Sequence, residues 1–216
     1  MQRHKVRFLV VRHAESLEDV DKTAYERVAD RHMPLSDRGR LQALKMGSGI
    51  KKDGLRHLRF ILSPGRRVFE TAEIMASELP FDIKSSFAVE PLIEKQNWGD
   101  TTIFNREVIE RERRSIGILR YCFPGGESGA ELLFRFAVFV KKLELDLLFS
   151  SSDELIVVIT HGLEMGILLK ILLGWTEEQF EAIPHPKNGY TKEVSFDRRS
   201  KKFTEACCEK RKKRLA

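Results

Sequence analysis

The chain has 216 residues, 42% hydrophobic and 32% charged, the make-up of a soluble globular protein built as one large domain. A chain this long buries about 70–75% of its unfolded surface. It therefore needs no staples, and Cys122, Cys207 and Cys208 lack the spacing of a disulfide framework or a zinc finger, which predicts a reducing compartment. The net charge of +6 is uneven: Arg198–Ala216 carries nine Lys/Arg against two Asp/Glu, a surplus of +7 that leaves −1 on the rest of the chain. A nucleic-acid-binding body with a basic face is excluded on that ground. The longest apolar stretch, Gly166–Trp175, is interrupted by Lys170 and falls short of the roughly 20 residues of a membrane span. Met1-Gln2-Arg3-His4-Lys5 runs straight into a strand-like segment, which predicts no signal peptide.

In chain order, Val6–Val11 reads as a short buried strand and residues 14–34 as a long polar loop. Ser36 is placed to cap a helix that runs to about Met46, with Gly47-Ser48-Gly49 as its stop. Arg59–Leu62 is a second strand. In Arg67–Leu79 a helical spacing aligns Val68, Ala72, Met75 and Leu79. Residues 81–125 are mixed, with a charged helix near 105–116. Ser128 opens a long helix with Leu132, Leu133, Phe136, Val140, Leu143 and Leu147 on one stripe. Leu155–Thr160 is the clearest buried strand, a helix spans Leu163 to about Leu173, and Lys192–Phe196 reads as a last strand. This alternation predicts a three-layer α/β/α fold with a mainly parallel central sheet. Residues 1–197 form its single domain, and 198–216 are expected to be a flexible basic tail. Lys210–Arg214 suits a nuclear-localisation signal, an anionic-lipid contact or a plain solubilising tail.

In such sheets ligands sit at the carboxyl ends of the strands. Three predicted strand ends deliver Arg12 and His13, Ser63 to Arg67, and His161-Gly162 towards one face. Two guanidiniums, two imidazoles and a helix N-terminus after Gly162 suit a phosphate, since arginine forks bind its oxygens in pairs and a helix start adds N–H donors. A neutral imidazole is also a competent phosphoryl acceptor. His4, His32, His57 and His185 lack such surroundings and read as surface or packing residues.

The same residues carry a resemblance. Arg12-His13-Ala14-Glu15-Ser16, Ser63-Pro64 with Arg67 and Thr71-Ala72, and Thr160-His161-Gly162 resemble, in order, the motifs of the histidine phosphatase superfamily, the phosphoglycerate-mutase-like fold. Gln96-Asn97-Trp98-Gly99, Phe123 to Ala130, Thr176 to Glu181 and Pro186 to Tyr190 are similar to its small acid-phosphatase-like and mutase-like branch. The resemblance covers about residues 6–196. It implies attack by His13 on a phosphomonoester, a phosphohistidine, and Arg12, Arg67 and His161 around the transferring group. Ser16, Asp19, Lys95 and Gly162 would contact substrate. A carboxylic acid would protonate the leaving oxygen. No metal and no cofactor are implied.

Three positions depart from the pattern. Ala14 stands for a glycine. Asp19 stands where an asparagine often donates to the phosphoryl group, and an ionised aspartate cannot donate; a solvated loop aspartate is the plainer expectation. Lys95 stands where the proton donor is a glutamate, with Glu94 one place earlier as the nearest substitute. The reading is thus a metal-independent phosphomonoester hydrolase acting on a small phosphorylated substrate, without nucleic-acid or membrane partners. Its expected location is the cytoplasm, or the nucleus by way of the basic tail. A phosphoglycerate-type mutase and a weakened pseudophosphatase that only binds phosphorylated ligands stand as alternatives, and oligomerisation is left open.

Overall fold

The structure, a computed structural model, describes residues 4–99, 106–151 and 153–206. Its centre is a six-stranded sheet in the order β3-β2-β4-β1-β5-β6. Strands β1 (Lys5–Arg12), β2 (His57–Leu62), β3 (Lys84–Val89) and β4 (Glu154–Thr160) run parallel to their neighbours among these four. Strands β5 (Thr191–Asp197) and β6 (Lys202–Glu205) add an antiparallel edge. Alternation along β1 and β4 explains the layers. Val6, Phe8, Val10, Ile156 and Val158 face one side and join the core of the long helix α5 (Gly129–Phe149) and α6 (Gly162–Leu173). Leu9, Val11, Leu155, Val157 and Ile159 face the other and join Val68, Ala72 and Met75 of α3 (Arg66–Ser77), against which α2 (Asp37–Ser48) packs. The central strands read as continuous apolar runs because both faces are covered. The expected three-layer fold is the observed one.

The caps are local and legible. Ser36 and Ser128 accept N–H bonds from Gly39 and Glu131, and Ser128 with Glu131 completes a reciprocal capping box. Gly65 has φ +146°, a conformation that strains any other residue, and this sharp turn starts α3 with Arg67 in its first turn. The short helix α4 (Arg106–Ile116) falls where a charged helix was expected, and α7 (Glu177–Ala182) follows α6.

Four details depart from the sequence reading. The polar stretch 14–34 contains a one-turn helix, α1 (Leu17–Val20), and two 3₁₀ turns, Lys22–Glu26 and Asp30–His32. Strand β3 was not expected: all six of its residues are exposed, so it lacks the apolar run that marks β1 and β4. The helix α2 ends at Gly47-Ser48-Gly49 as expected, with Gly49 as its C-cap, but Gly47 has a packing role the sequence reading did not give it: it lies buried in the last turn, where an added Cβ would fall 2.4 Å from the Met75 carbonyl oxygen. The folded body also continues past residue 197, because β6 pairs with β5 and Phe203 packs on Phe8 and Phe196 at centroid distances of 6.2 and 4.8 Å. Only Phe203 in Lys-Phe-Thr-Glu is apolar, too little to signal a strand. Cys207-Cys208, the run Lys210–Arg214, and positions 100–105 of the mixed stretch lie outside the described residues. Among the described residues no helix is long and apolar enough to cross a membrane.

Because Gly47 lets α2 approach the backbone of α3, Gly47→Ala is expected to destabilise the fold by about 1–3 kcal/mol. Urea unfolding monitored by circular dichroism checks this, and an unchanged midpoint contradicts the packing role.

Candidate active site

The carboxyl ends of β1, β2 and β4 meet as the topology requires. The His13 amide donates to the Thr160 carbonyl at 3.0 Å, and the Ser63 amide donates to Ile159 at 3.0 Å. The two imidazoles stand edge to face with ring centroids 5.1 Å apart. Ala14 is fully buried with Leu35 and Ala43, and its amide donates to Thr71 Oγ1 at 3.1 Å, so the methyl that replaces a glycine hydrogen is accommodated by packing.

The hydrogen bonds set the tautomers. His13 Nδ1 lies 2.7 Å from the Ala14 carbonyl oxygen. A carbonyl accepts only, so Nδ1 carries the proton and Nε2 keeps its lone pair. His161 Nδ1 faces Arg67 Nη2 at 3.4 Å and its Nε2 faces Ser63 Oγ at 3.0 Å. Arginine only donates, so His161 is protonated on Nε2. Burial, joined by the Arg67 and Arg12 charges and opposed by the Ala14 bond, pushes His13 down to about 3. Burial together with the charge of Arg67 and the proximity of His13 lowers His161 well below the ordinary histidine value. Both rings are neutral at pH 7.

The side chain of Arg67 is 1% exposed. Its Nη1 donates to the Asp30 carbonyl at 2.7 Å, and its Nη2 lies 3.2 and 3.3 Å from the two Asp30 carboxylate oxygens. Arg12 Nη1 donates to the Pro186 carbonyl at 2.5 Å, and its Nη2 lies 3.7 Å from Asp19. Burial lowers the Arg12 guanidinium, while the fields of Asp19, Glu18 and Glu164 act against that. The Nε groups of both arginines are buried and without a hydrogen-bond partner. Gly162 opens α6 beside them, with the His185 ring against it.

Asp19 is not the solvated loop residue expected. Its Oδ2 accepts from the Ser16 amide at 2.8 Å, the Ser16 hydroxyl at 2.7 Å and Asn188 Nδ2 at 3.0 Å. Burial works to raise this carboxyl, but Ser16, His13 and Arg12 outweigh it and hold it below the usual range. Ser16, expected at the substrate, therefore caps α1. Lys95 enters the site: its Nζ donates to Asp30 Oδ1 at 2.7 Å and Tyr25 Oη at 3.2 Å, and lies 3.9 Å from Glu18 Oε2. The Glu94 carboxylate makes no hydrogen bond or ion pair with Arg12, His13, Arg67 or His161.

The structure thus brings together Arg12, His13, Asp19, Arg67, Lys95, His161 and Gly162. It adds Glu18, Asp30, Ser63, His185 and Asn188, to which the sequence reading gave no role. His185 was read as a surface or packing residue, yet it sits beside Gly162, and burial and the Arg12 charge lower it. Asp30 and Glu18 had no signal, since both lie in a polar stretch without periodicity. The site cations are paired with carboxylates: Asp30 answers both Arg67 and Lys95, and Asp19 answers Arg12.

The strand ends carry a buried neutral histidine, a second histidine and two guanidiniums, and residues 8–208 match the model of the histidine phosphatase superfamily, branch 1. The chain belongs to that family. It is 29% identical over 196 residues to a phosphoglycerate mutase-like protein of Arabidopsis thaliana, covering 84% of this chain but 62% of that protein. It is 29% identical over 112 residues to a broad-range acid phosphatase of Saccharomyces cerevisiae, covering 50% of this chain and 34% of that one. The chain therefore spans less than two thirds of the length of these two relatives. The solved alpha-ribazole phosphatase of Shigella flexneri shares the fold, with a TM-score of 0.70, 18% identity, and 93% and 95% of the two chains covered.

Because His13 is held neutral, the unfolded chain takes up a proton below pH 6.5 that the folded chain refuses down to about pH 3. Stability is therefore expected to fall as the pH drops through that window. Imidazole nitrogen NMR at pH 5 checks the cause: a neutral His13 protonated on Nδ1 is expected, and an imidazolium signal contradicts it.

Proposed function

We propose that this chain hydrolyses phosphomonoesters through a phosphohistidine on His13. The observation that carries the reading is the Ala14 carbonyl bond, which fixes the proton on Nδ1 and leaves Nε2 as a neutral nucleophile between Arg12, Arg67 and His161. In the first step the Nε2 lone pair attacks phosphorus and the bond to the leaving oxygen breaks. Arg12 and Arg67 spread the charge on the transferring oxygens, and His161 donates or accepts beside them. Water then displaces phosphate from Nε2 and restores the neutral ring. Phosphatase names among the relatives and solved neighbours support hydrolysis, while the substrate class narrows no further than a phosphomonoester.

One observation favours a second reading. Asp30 already occupies the donors of Arg67 and Lys95, so a phosphoryl group must compete with a carboxylate for them. A pseudophosphatase that binds phosphorylated ligands weakly and turns none over fits that arrangement. A mutase would instead return the phosphoryl group to its product.

Phosphate release from aryl and alkyl phosphomonoesters separates these readings. Wild-type release with an acid-labile phosphoenzyme is expected, and His13→Ala is expected to lower turnover by on the order of 10⁴–10⁶. A folded wild-type protein that binds phosphate and releases none establishes the pseudophosphatase reading instead.

A further inference from the structure

We propose that Glu18 is the proton donor to the leaving oxygen, in the role the family resemblance gives to a carboxylic acid at position 95. This rests on the phosphatase reading above. A lysine at 95 removes the acid from its expected place, so the carboxyl must come from another segment. The candidates are those near the site cations, and their hydrogen bonds tell them apart.

Asp30 is committed: both its oxygens face Arg67, and Oδ1 also accepts from Lys95 at 2.7 Å. Burial works to raise that carboxyl, but Lys95 and Arg67 hold it below the usual range. Asp19 accepts from Ser16 twice and from Asn188, and Glu164 is 2% exposed and accepts from the Gln96 amide at 2.7 Å. The Glu94 carboxylate meets none of Arg12, His13, Arg67 and His161.

Glu18 differs from all of these. Its side chain is 15% exposed, and its Oε2 is buried without a hydrogen-bond partner, 3.9 Å from Lys95 Nζ. Its field also reaches Arg12, so both Lys95 and Arg12 act on it. The capping box of α1, Ser16 with Asp19, holds it there, five residues after the nucleophile. A buried carboxylate oxygen without a hydrogen-bond donor is free to meet the leaving oxygen of a bound ester.

The step balances. As Nε2 of His13 bonds to phosphorus, the electron pair of the breaking P–O bond passes to the leaving oxygen. That oxygen takes the Glu18 proton and departs as the alcohol, leaving phosphohistidine and a Glu18 carboxylate. In the second half the carboxylate takes a proton from the attacking water, the P–N pair returns to Nε2, and phosphate leaves with the carboxyl restored. Lys95, held by Asp30 and Tyr25, is a positioning residue for Glu18.

The test compares the full chain and its Glu18→Gln variant on two esters, p-nitrophenyl phosphate, whose phenolate leaves without help, and glycerol phosphate, whose alkoxide needs a proton. Glu18→Gln is expected to lower kcat/KM, which reports formation of the phosphoenzyme, by about 10²–10⁴ on glycerol phosphate and by far less on p-nitrophenyl phosphate, while kcat falls on both esters because the second half is shared; circular dichroism shows that the variant is folded. Equal effects on kcat/KM for both esters, or none, overturn the assignment. So does a selective loss of the glycerol phosphate reaction in Glu94→Gln or Asp30→Asn with Glu18→Gln spared. If Glu18→Gln does not fold, Glu18→Asp is read the same way. A wild-type protein inert towards both esters overturns the phosphatase reading itself, and the assignment with it, an outcome distinct from an active wild type whose selectivity ignores Glu18.

Discussion

A guanidinium buried to 1% exposure organises this end of the molecule. An arginine out of water needs its donors met, and removing a partner from a buried charge costs several kcal/mol. Arg67 meets that need at its two Nη groups, with the Asp30 carbonyl, the Asp30 carboxylate and His161 Nδ1, and leaves only Nε without a partner. Each bond has a structural consequence. Asp30 draws the 3₁₀ turn of the polar 14–34 stretch over the sheet ends. His161 is forced into the Nε2-protonated form and handed on to Ser63. The positive charge suppresses protonation of both histidines.

The site is therefore assembled from opposed demands. The phosphoryl transfer we propose asks for unscreened positive charge, whereas folding asks for each buried charge to be answered. The answer here is a set of carboxylates on short, locally capped segments, Asp19 and Glu18 on α1 and Asp30 on its turn, set against cations on the sheet and α3. The histidines sit on the sheet ends between two helical layers, while the carboxylates belong to elements of one turn.

Much of the frame was legible in the residues. The runs around Phe8 and Ile156, the caps Ser36 and Ser128, and the stripe of α5 each rest on local chemistry, and each stands where the pattern puts it. Strand β3 and strand β6 were not legible, because an edge strand needs no apolar run. The stop at Gly47-Ser48-Gly49 was legible, but the packing of Gly47 was not, since local propensity cannot show that a neighbouring backbone lies against it. At the site, Arg12, His13, Arg67 and His161 were readable because each directly follows a strand or a sharp turn. Asp30 and Glu18 were not, because nothing in their own segment distinguishes them from solvated acids.

By itself the sequence determined the strands β1, β2, β4 and β5, the helices α2 to α6 between them and the family of the chain, all of which follow from periodicity, caps and short motifs acting over a few residues. The tertiary structure alone decided which carboxylates answer which cations, which nitrogen of each histidine carries the proton, and that Lys95 rather than Glu94 enters the site. Those outcomes depend on distances between segments tens of residues apart. Burial turns such distances into large electrostatic differences, and no local pattern encodes them.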